Sequence, residues 1–205
     1  MLEWGLNWCL ADRCNTHLLL HAGVVERGGV GVLLPALPGS GKSTLTAALS
    51  VSGFRLLSDE FGVVRLDDGL CMPMLRPIAL KNESIRVIAA LRPDATFGPV
   101  FRGTRKGDVA HLAPDERSVE QRNVAAAIRL IVFPQFQAGA ATALEPVARA
   151  HAFSKLAVNS FNYELLGPAA FAAVGRLIAA CDCYRLSYGN LAEAMSRIDA
   201  LLAAR

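Results

Sequence analysis

The segment Ala36-Leu37-Pro38-Gly39-Ser40-Gly41-Lys42-Ser43 brings together small residues, a lysine and a hydroxyl. It fits the pattern G-x-x-x-x-G-K-[ST], with alanine in the first place. Small residues let backbone N–H groups turn inward around a phosphate. A helix starting at the lysine points its positive end at the same anion. Lys42 would reach the β/γ oxygens of a nucleoside triphosphate, and the Ser43 hydroxyl is placed to coordinate Mg²⁺. The candidate nucleotide-binding residues are therefore Pro38, Gly39, Ser40, Gly41, Lys42, Ser43 and Thr44. Asp59 follows Lys42 by 17 residues, a gap that one helix and one strand fill. An acidic residue there can hold Mg²⁺ through water or take a proton from an incoming nucleophile. Glu60 adds a second carboxylate, so Ser43, Asp59 and Glu60 are the candidate metal ligands, unless Asp59-Glu60 is simply a solvated turn. His21 is the last candidate: a hairpin turning at residues 26–29 sets it opposite about Leu34, near the start of the phosphate loop. There it could orient Asp59, contact the γ-phosphate, or be structural.

These residues need elements to hold them. His21–Val25 and Val30–Leu34 read as two strands of a hairpin, joined by a Glu26-Arg27-Gly28-Gly29 turn. Pro35–Gly41 reads as a loop and Ser43–Ser50 as a helix that stops at Gly53. Phe54–Leu57 is a strand ending in Ser58-Asp59-Glu60, and Gly62–Leu66 is another, turned by Asp67-Asp68-Gly69. Further on, Ser84–Leu91 reads as a short helix, residues 97–107 as a Gly/Arg/Lys-rich loop, and Arg129–Phe133 as a buried strand. Val147–Val158 and Pro168–Ala180 are amphipathic helices, Cys183–Ser187 a late strand and Leu191–Ala204 a terminal helix. Strands alternating with helices predict an α/β fold with a mixed sheet and an antiparallel hairpin at its start.

Composition bounds the rest. The chain has 205 residues, 53% hydrophobic and 19% charged, enough apolar surface for an ordered core. With no internal repeat and no Pro- or Ser-rich linker, residues 1–205 are expected to form a single domain. No uncharged apolar run approaches a membrane span, and Met1-Leu2-Glu3-Trp4 lacks the basic start of a secretion signal. A net charge of +3 with both signs interspersed argues against nucleic acid as a partner. Five cysteines in a chain of this size read as reduced thiols, Cys181 and Cys183 as core residues, and the expected location is cytoplasmic. Lys81, Arg102, Arg105 and Lys106 could meet the γ-phosphate or an acidic substrate, or be solvated loop residues. Gly98, Gly103 and Gly107 suit a lid, His111 is as readily structural as catalytic, and Asn162-Tyr163-Glu164 reads as a helix-end network.

The spacing of Leu20-His21-Ala22-Gly23-Val24-Val25, Pro38–Ser43 and Gly53-Phe54-Arg55-Leu56-Leu57-Ser58-Asp59-Glu60 resembles the catalytic domain of HPr kinase/phosphorylase. Within that family the chain is most similar to the HprK-related kinase A group. Residues 75–82, 106–111, 131–134 and 161–167 resemble that group's later segments, so the likeness covers most of the chain. The resemblance implies a P-loop fold of the HPr kinase/PEP carboxykinase type over residues 1–205. It implies an ATP- and Mg²⁺-dependent kinase that phosphorylates a hydroxyl, above all a serine of a small acceptor protein or peptide. Asp59 would handle the hydroxyl proton with His21 beside it, Lys42 would hold the triphosphate, and Ser43 with an acidic partner would hold the metal. It also implies a homo-oligomer, for which the residues carry no independent signal. The chain departs from the pattern at Asp59-Glu60, where HPr kinase has Asp-Asp, and at Leu75-Arg76-Pro77-Ile78, where it has Glu-x-Arg-Gly. The second metal carboxylate and any phosphorylase half-reaction are therefore not carried over. Two other readings remain open: a kinase acting on a small molecule or a tailored peptide, and a nucleotide-binding sensor or assembly module that transfers nothing.

Overall fold

A computed structural model describes residues 2–205, with side chains from residue 7 onward. Helix α1 (Leu2–Arg13) precedes the strands that carry the site. Strand β1 (His17–Arg27) and β2 (Val30–Pro35) form an antiparallel hairpin. Its turn is the pair Gly28-Gly29, with φ of 61° and 82°. Two left-handed residues match the twist of the flanking strands, so the hairpin closes in two residues where the composition suggested four. Glu26 stays in the strand because its carboxylate is buried against Arg55 (2.8 Å) and accepts from the Gly29 N–H (2.7 Å). Tightening the turn moves the register. Gly23 lies opposite Leu34 and Ala22 opposite Pro35, so His21 lies beyond β2, where its carbonyl accepts from Ala36 N–H at 3.4 Å.

Helix α2 (Lys42–Val51) leads from the loop to β3 (Arg55–Ser58) and β4 (Phe61–Arg65). Both run antiparallel to β1 along its outer edge, β3 against Val24–Glu26 and β4 against His17–His21. They form one long strand broken by a bend at Asp59-Glu60. The short β5 (Cys71–Met72) pairs with β4. On the other side of β2 lie β9 (Ala127–Phe136) and β11 (Asp182–Tyr188), both parallel, and then β10 (Ala143–Pro146), antiparallel at the edge. The order is β10-β11-β9-β2-β1-β4-β5, with β3 also on β1. The fold is α/β with a mixed sheet.

Both faces of the sheet are covered. Leu18, Leu20, Ala22 and Val24 of β1 alternate onto one face, where they meet α5 (Arg149–Val158) and α7 (Pro168–Ala180) through Leu156, Val174 and Leu177. The other face carries Val32 and Leu34 of β2, packed on Leu45 and Leu49 of α2 and on Ala194 and Ile198 of α8 (Leu191–Ala203). Each of these buried leucine, isoleucine and valine side chains contributes roughly 1.5–3 kcal/mol by leaving water. In β9, Ile128 faces the first core and Leu130 the second, because the pairing with β2 slips by one residue at exposed Arg129.

A second, three-stranded sheet, β6-β8-β7, packs on the α2 side. It comprises β6 (Ile78–Lys81), β7 (Phe101–Thr104) and β8 (Gly107–Leu112), with α3 (Glu83–Leu91) following β6. Residues 101–104, expected to be loop, are therefore a strand. All four are solvent-exposed, so no buried alternation marks them in sequence. The remaining helices are α4 (Glu116–Glu120) and α6 (Tyr163–Leu166). Among the described residues, no helix is long and apolar enough to cross a membrane.

Candidate functional site

The phosphate-loop segment leaves β2 at Pro35 and enters α2 at Lys42. Leu37–Ser40 makes a turn closed by Ser40 N–H on Leu37 O (3.3 Å), with Pro38 in the second position and Gly39 at φ 87° in the third. Gly41, at φ 84°, caps the helix with no side chain. A Cβ there would lie 2.5 Å from the Tyr188 hydroxyl and 2.8 Å from Phe136 Cβ, so glycine is required by both conformation and space. The first intrahelical bond is Leu45 N–H to Gly41 O (3.0 Å). The N–H groups of Lys42, Ser43 and Thr44 stand ahead of it with no intrahelical acceptor, and the first turn holds no acidic residue. The geometry is an anion cradle.

Lys42 is buried, and its Nζ lies 3.5 Å from Asp59 Oδ1 and 4.0 Å from Glu60 Oε2. It also donates to the Asp59 carbonyl. Asp59 and Glu60 reach it because the β3–β4 strand bends there: Ser58 Oγ accepts from both Glu60 N–H (3.3 Å) and Phe61 N–H (3.1 Å). His21 approaches from β1, its Nε2 3.8 Å from Glu60 Oε1. The sequence candidates Lys42, Asp59, Glu60 and His21 thus form one cluster at the mouth of the loop.

Burial lowers the His21 pKa below the ordinary 6.5, the Lys42 charge lowers it further, and the two carboxylates oppose both without reversing them. Lys81, at the end of β6, adds a smaller push in the same direction. The cluster therefore holds one cation, two carboxylates and an imidazole biased to neutrality. Two further cations stand close by: Arg76 lines the same cavity as Asp59 and Glu60, and Lys81 acts on His21. Asp59 Oδ1 is buried and, at ion-pair distance from Lys42, accepts no hydrogen bond. Ser40 Oγ in the loop is likewise buried without a partner. Among the described residues there is no group of three or more His, Cys, Asp or Glu side chains able to enclose a metal. Mg²⁺ does not need one, since it keeps water and phosphate oxygens in its shell and takes one or two protein ligands. The residues that would hold it are Ser43, at the start of α2, and one carboxylate of the Asp59-Glu60 bend.

Other candidates are placed differently. The Thr44 hydroxyl pairs with Ser84 Oγ of α3 (2.7 Å), so Thr44 offers the loop only its N–H. Arg102 lies 3.8 Å from Asp108 within the β7–β8 hairpin, and Arg105 and Lys106 form that hairpin's turn. Asn82 lies against Gly107, where its Oδ1 would be 2.2 Å from a Cβ, and it bonds the next residue by accepting from Asp108 N–H at 3.0 Å. His111 sits on β8 opposite Ala79.

Three contributors take roles here that the sequence did not assign, although Phe161 and Asn162 fall in the 161–167 segment of the family resemblance. Phe161 sets its ring 5.5 Å from the His21 ring and 4.7 Å from that of Phe61. Asn162, instead of serving only a helix end, is buried and braces β1: Oδ1 accepts from Leu19 N–H (2.9 Å), and Nδ2 donates to the carbonyls of Cys14 and His17 (both 2.8 Å). Tyr188 backs the loop, its hydroxyl donating to Gly41 O at 3.3 Å. All three are distant in sequence from the residues they support, so no local pattern announces these roles.

The fold and site together define an α/β protein with a glycine-shaped anion cradle beside a lysine–carboxylate–histidine cluster. No protein-family model matches the chain, and no curated protein matches it.

Proposed function

We propose that the chain is an ATP-dependent phosphotransferase of the HPr serine kinase-like type, on a P-loop fold of the HPr kinase/PEP carboxykinase kind, moving the γ-phosphoryl group to a hydroxyl. The acceptor class is a serine of a small protein or peptide. The observation that carries the reading is the convergence of Lys42, Asp59, Glu60 and His21 at the mouth of a loop shaped by Gly39 and Gly41.

In this reading the N–H groups of Lys42, Ser43 and Thr44 cradle the β-phosphate, and the Lys42 side chain turns from the Asp59 carbonyl toward the β/γ oxygens. Bound Mg²⁺ would supply charge neutralisation at those oxygens, held by the Ser43 hydroxyl and a carboxylate of the bend. Asp59 accepts the proton of the acceptor hydroxyl as its oxygen bonds to the γ-phosphorus and the bond to the β-phosphate oxygen breaks, releasing ADP. Neutral His21, packed on Phe161, stands beside Glu60 without adding its own positive charge next to Lys42.

The test is transfer from γ-labelled ATP with Mg²⁺ into lysate of the protein's own host, with Asp59→Asn as control. A labelled polypeptide that vanishes with the variant is the expected result. ATP binding without any labelled polypeptide would contradict a protein acceptor, and ATP binding without any ATP consumption would contradict transfer altogether.

A further inference from the structure

Phe136 ends β9 beside the phosphate loop, and the mechanism above does not use it. We propose that its ring is the stacking platform for the base of the bound nucleotide, an inference that rests on the nucleotide-binding reading.

Three observations lead there. First, β2, β9 and β11 are parallel, and their carboxyl ends converge at one edge: β2 runs into the loop, β9 ends at Phe136 and β11 at Tyr188. In sheets of this kind ligands lie in the crevice outside the carboxyl ends of the strands. Second, the reacting groups all stand on one side of the loop, on β1 and the β3–β4 bend. A triphosphate whose γ end faces Asp59 leads its nucleoside away from that side, toward β9 and β11.

Third, Phe136 is built into the loop and still offers a face. Its N–H donates to Ser40 O at 3.0 Å, and its Cβ sits against Gly41. The Tyr188 ring meets its ring near edge-on, at 5.5 Å and 62°. Even so, Phe136 remains 48% exposed. An aromatic ring fixed through its backbone and one edge loses little freedom when a second flat ring covers it. A base stacks on such a ring through its face, and each base–aromatic contact of this kind is worth about a tenfold change in affinity or more.

The experiment separates base from phosphate. Calorimetric titration with Mg-ATP and with inorganic tripolyphosphate is carried out on the wild type, Phe136→Ala, Phe136→Leu and Phe136→Tyr. The expected result is a loss of about tenfold in ATP affinity for the alanine and leucine variants, unchanged tripolyphosphate affinity in both, and recovery with tyrosine. The leucine variant keeps apolar packing behind Gly41, so a loop deformed by truncation cannot imitate this pattern. Equal losses for ATP and tripolyphosphate would make Phe136 a prop for the loop and overturn the platform. So would an ATP affinity that no variant changes. A wild type that binds neither ligand removes the nucleotide reading itself, and the platform with it.

Discussion

At Lys42 two carboxylates compete for one ammonium group, and the neighbouring imidazole registers the result. His21 is held below 6.5 first by burial and then by the Lys42 charge. A group whose folded pKa is depressed in this way is neutral in the folded protein while the unfolded chain takes up its proton. Stability from this group is therefore complete above 6.5 and declines as pH falls toward the folded value. Followed by NMR, the His21 ring should titrate with a midpoint below 6.5, and Lys42→Met should raise that midpoint. A wild-type midpoint at or above 6.5, or one that ignores the loss of Lys42, would show that the cluster is not electrostatically joined. The buried Oδ1 of Asp59 has the Lys42 ammonium at ion-pair distance and no hydrogen bond, so it is free to accept one from a substrate hydroxyl.

Helix α2 must sit close to β1 for the loop to open over His21 and the bend, and Gly23 makes that approach. A Cβ at Gly23 would lie 2.2 Å from Thr46 Oγ1, whose hydroxyl donates to Lys42 O at 2.9 Å. Gly23→Ala should therefore destabilise the protein by about 1–3 kcal/mol. Adding Thr46→Ala should recover most of that, because the next atom met is at 3.3 Å. Urea denaturation of the two single variants and the double variant reads the coupling. Strict additivity would mean that the helix and strand are not in contact there. At this scale the sequence was readable wherever composition and burial agree. The loop, α2, α7 and the β1–β2 hairpin follow from glycines, helix formers and apolar alternation. The register of His21 was set two residues away from its place because a buried Glu26 looks like a turn residue until Arg55, from another strand, is seen to pair with it. The exposed β7 was unreadable for the opposite reason, having no buried face to give it a period. In the site, Lys42, Asp59, Glu60 and His21 were legible from spacing, whereas the roles of Phe161, Asn162, Phe136 and Tyr188 come from the tertiary fold.

Taken whole, the molecule carries its two cores on opposite faces of one sheet, and the cysteines report on one of them. Cys71, Cys181 and Cys183 are buried in the core beneath α5 and α7, whereas Cys9 is exposed and Cys14 half-buried. Burial pushes the thiols of Cys71 and Cys181 up to about 12 and that of Cys183 to about 11, so they are poor nucleophiles while the fold is intact. Alkylation under native conditions should label Cys9 and Cys14 and leave the other three. Those three should become reactive together across the denaturation transition, and early labelling of any one would mean that this core opens in parts. The central claim concerns what the same molecule does with ATP, and one comparison tests it most directly: Mg-ATP affinity and ADP formation measured side by side for the wild type and Asp59→Asn. The predicted result is an affinity kept within about threefold and a turnover lowered by about a hundredfold or more, the scale of a lost general base. An Asp59→Asn protein that turns ATP over at the wild-type rate would contradict the account.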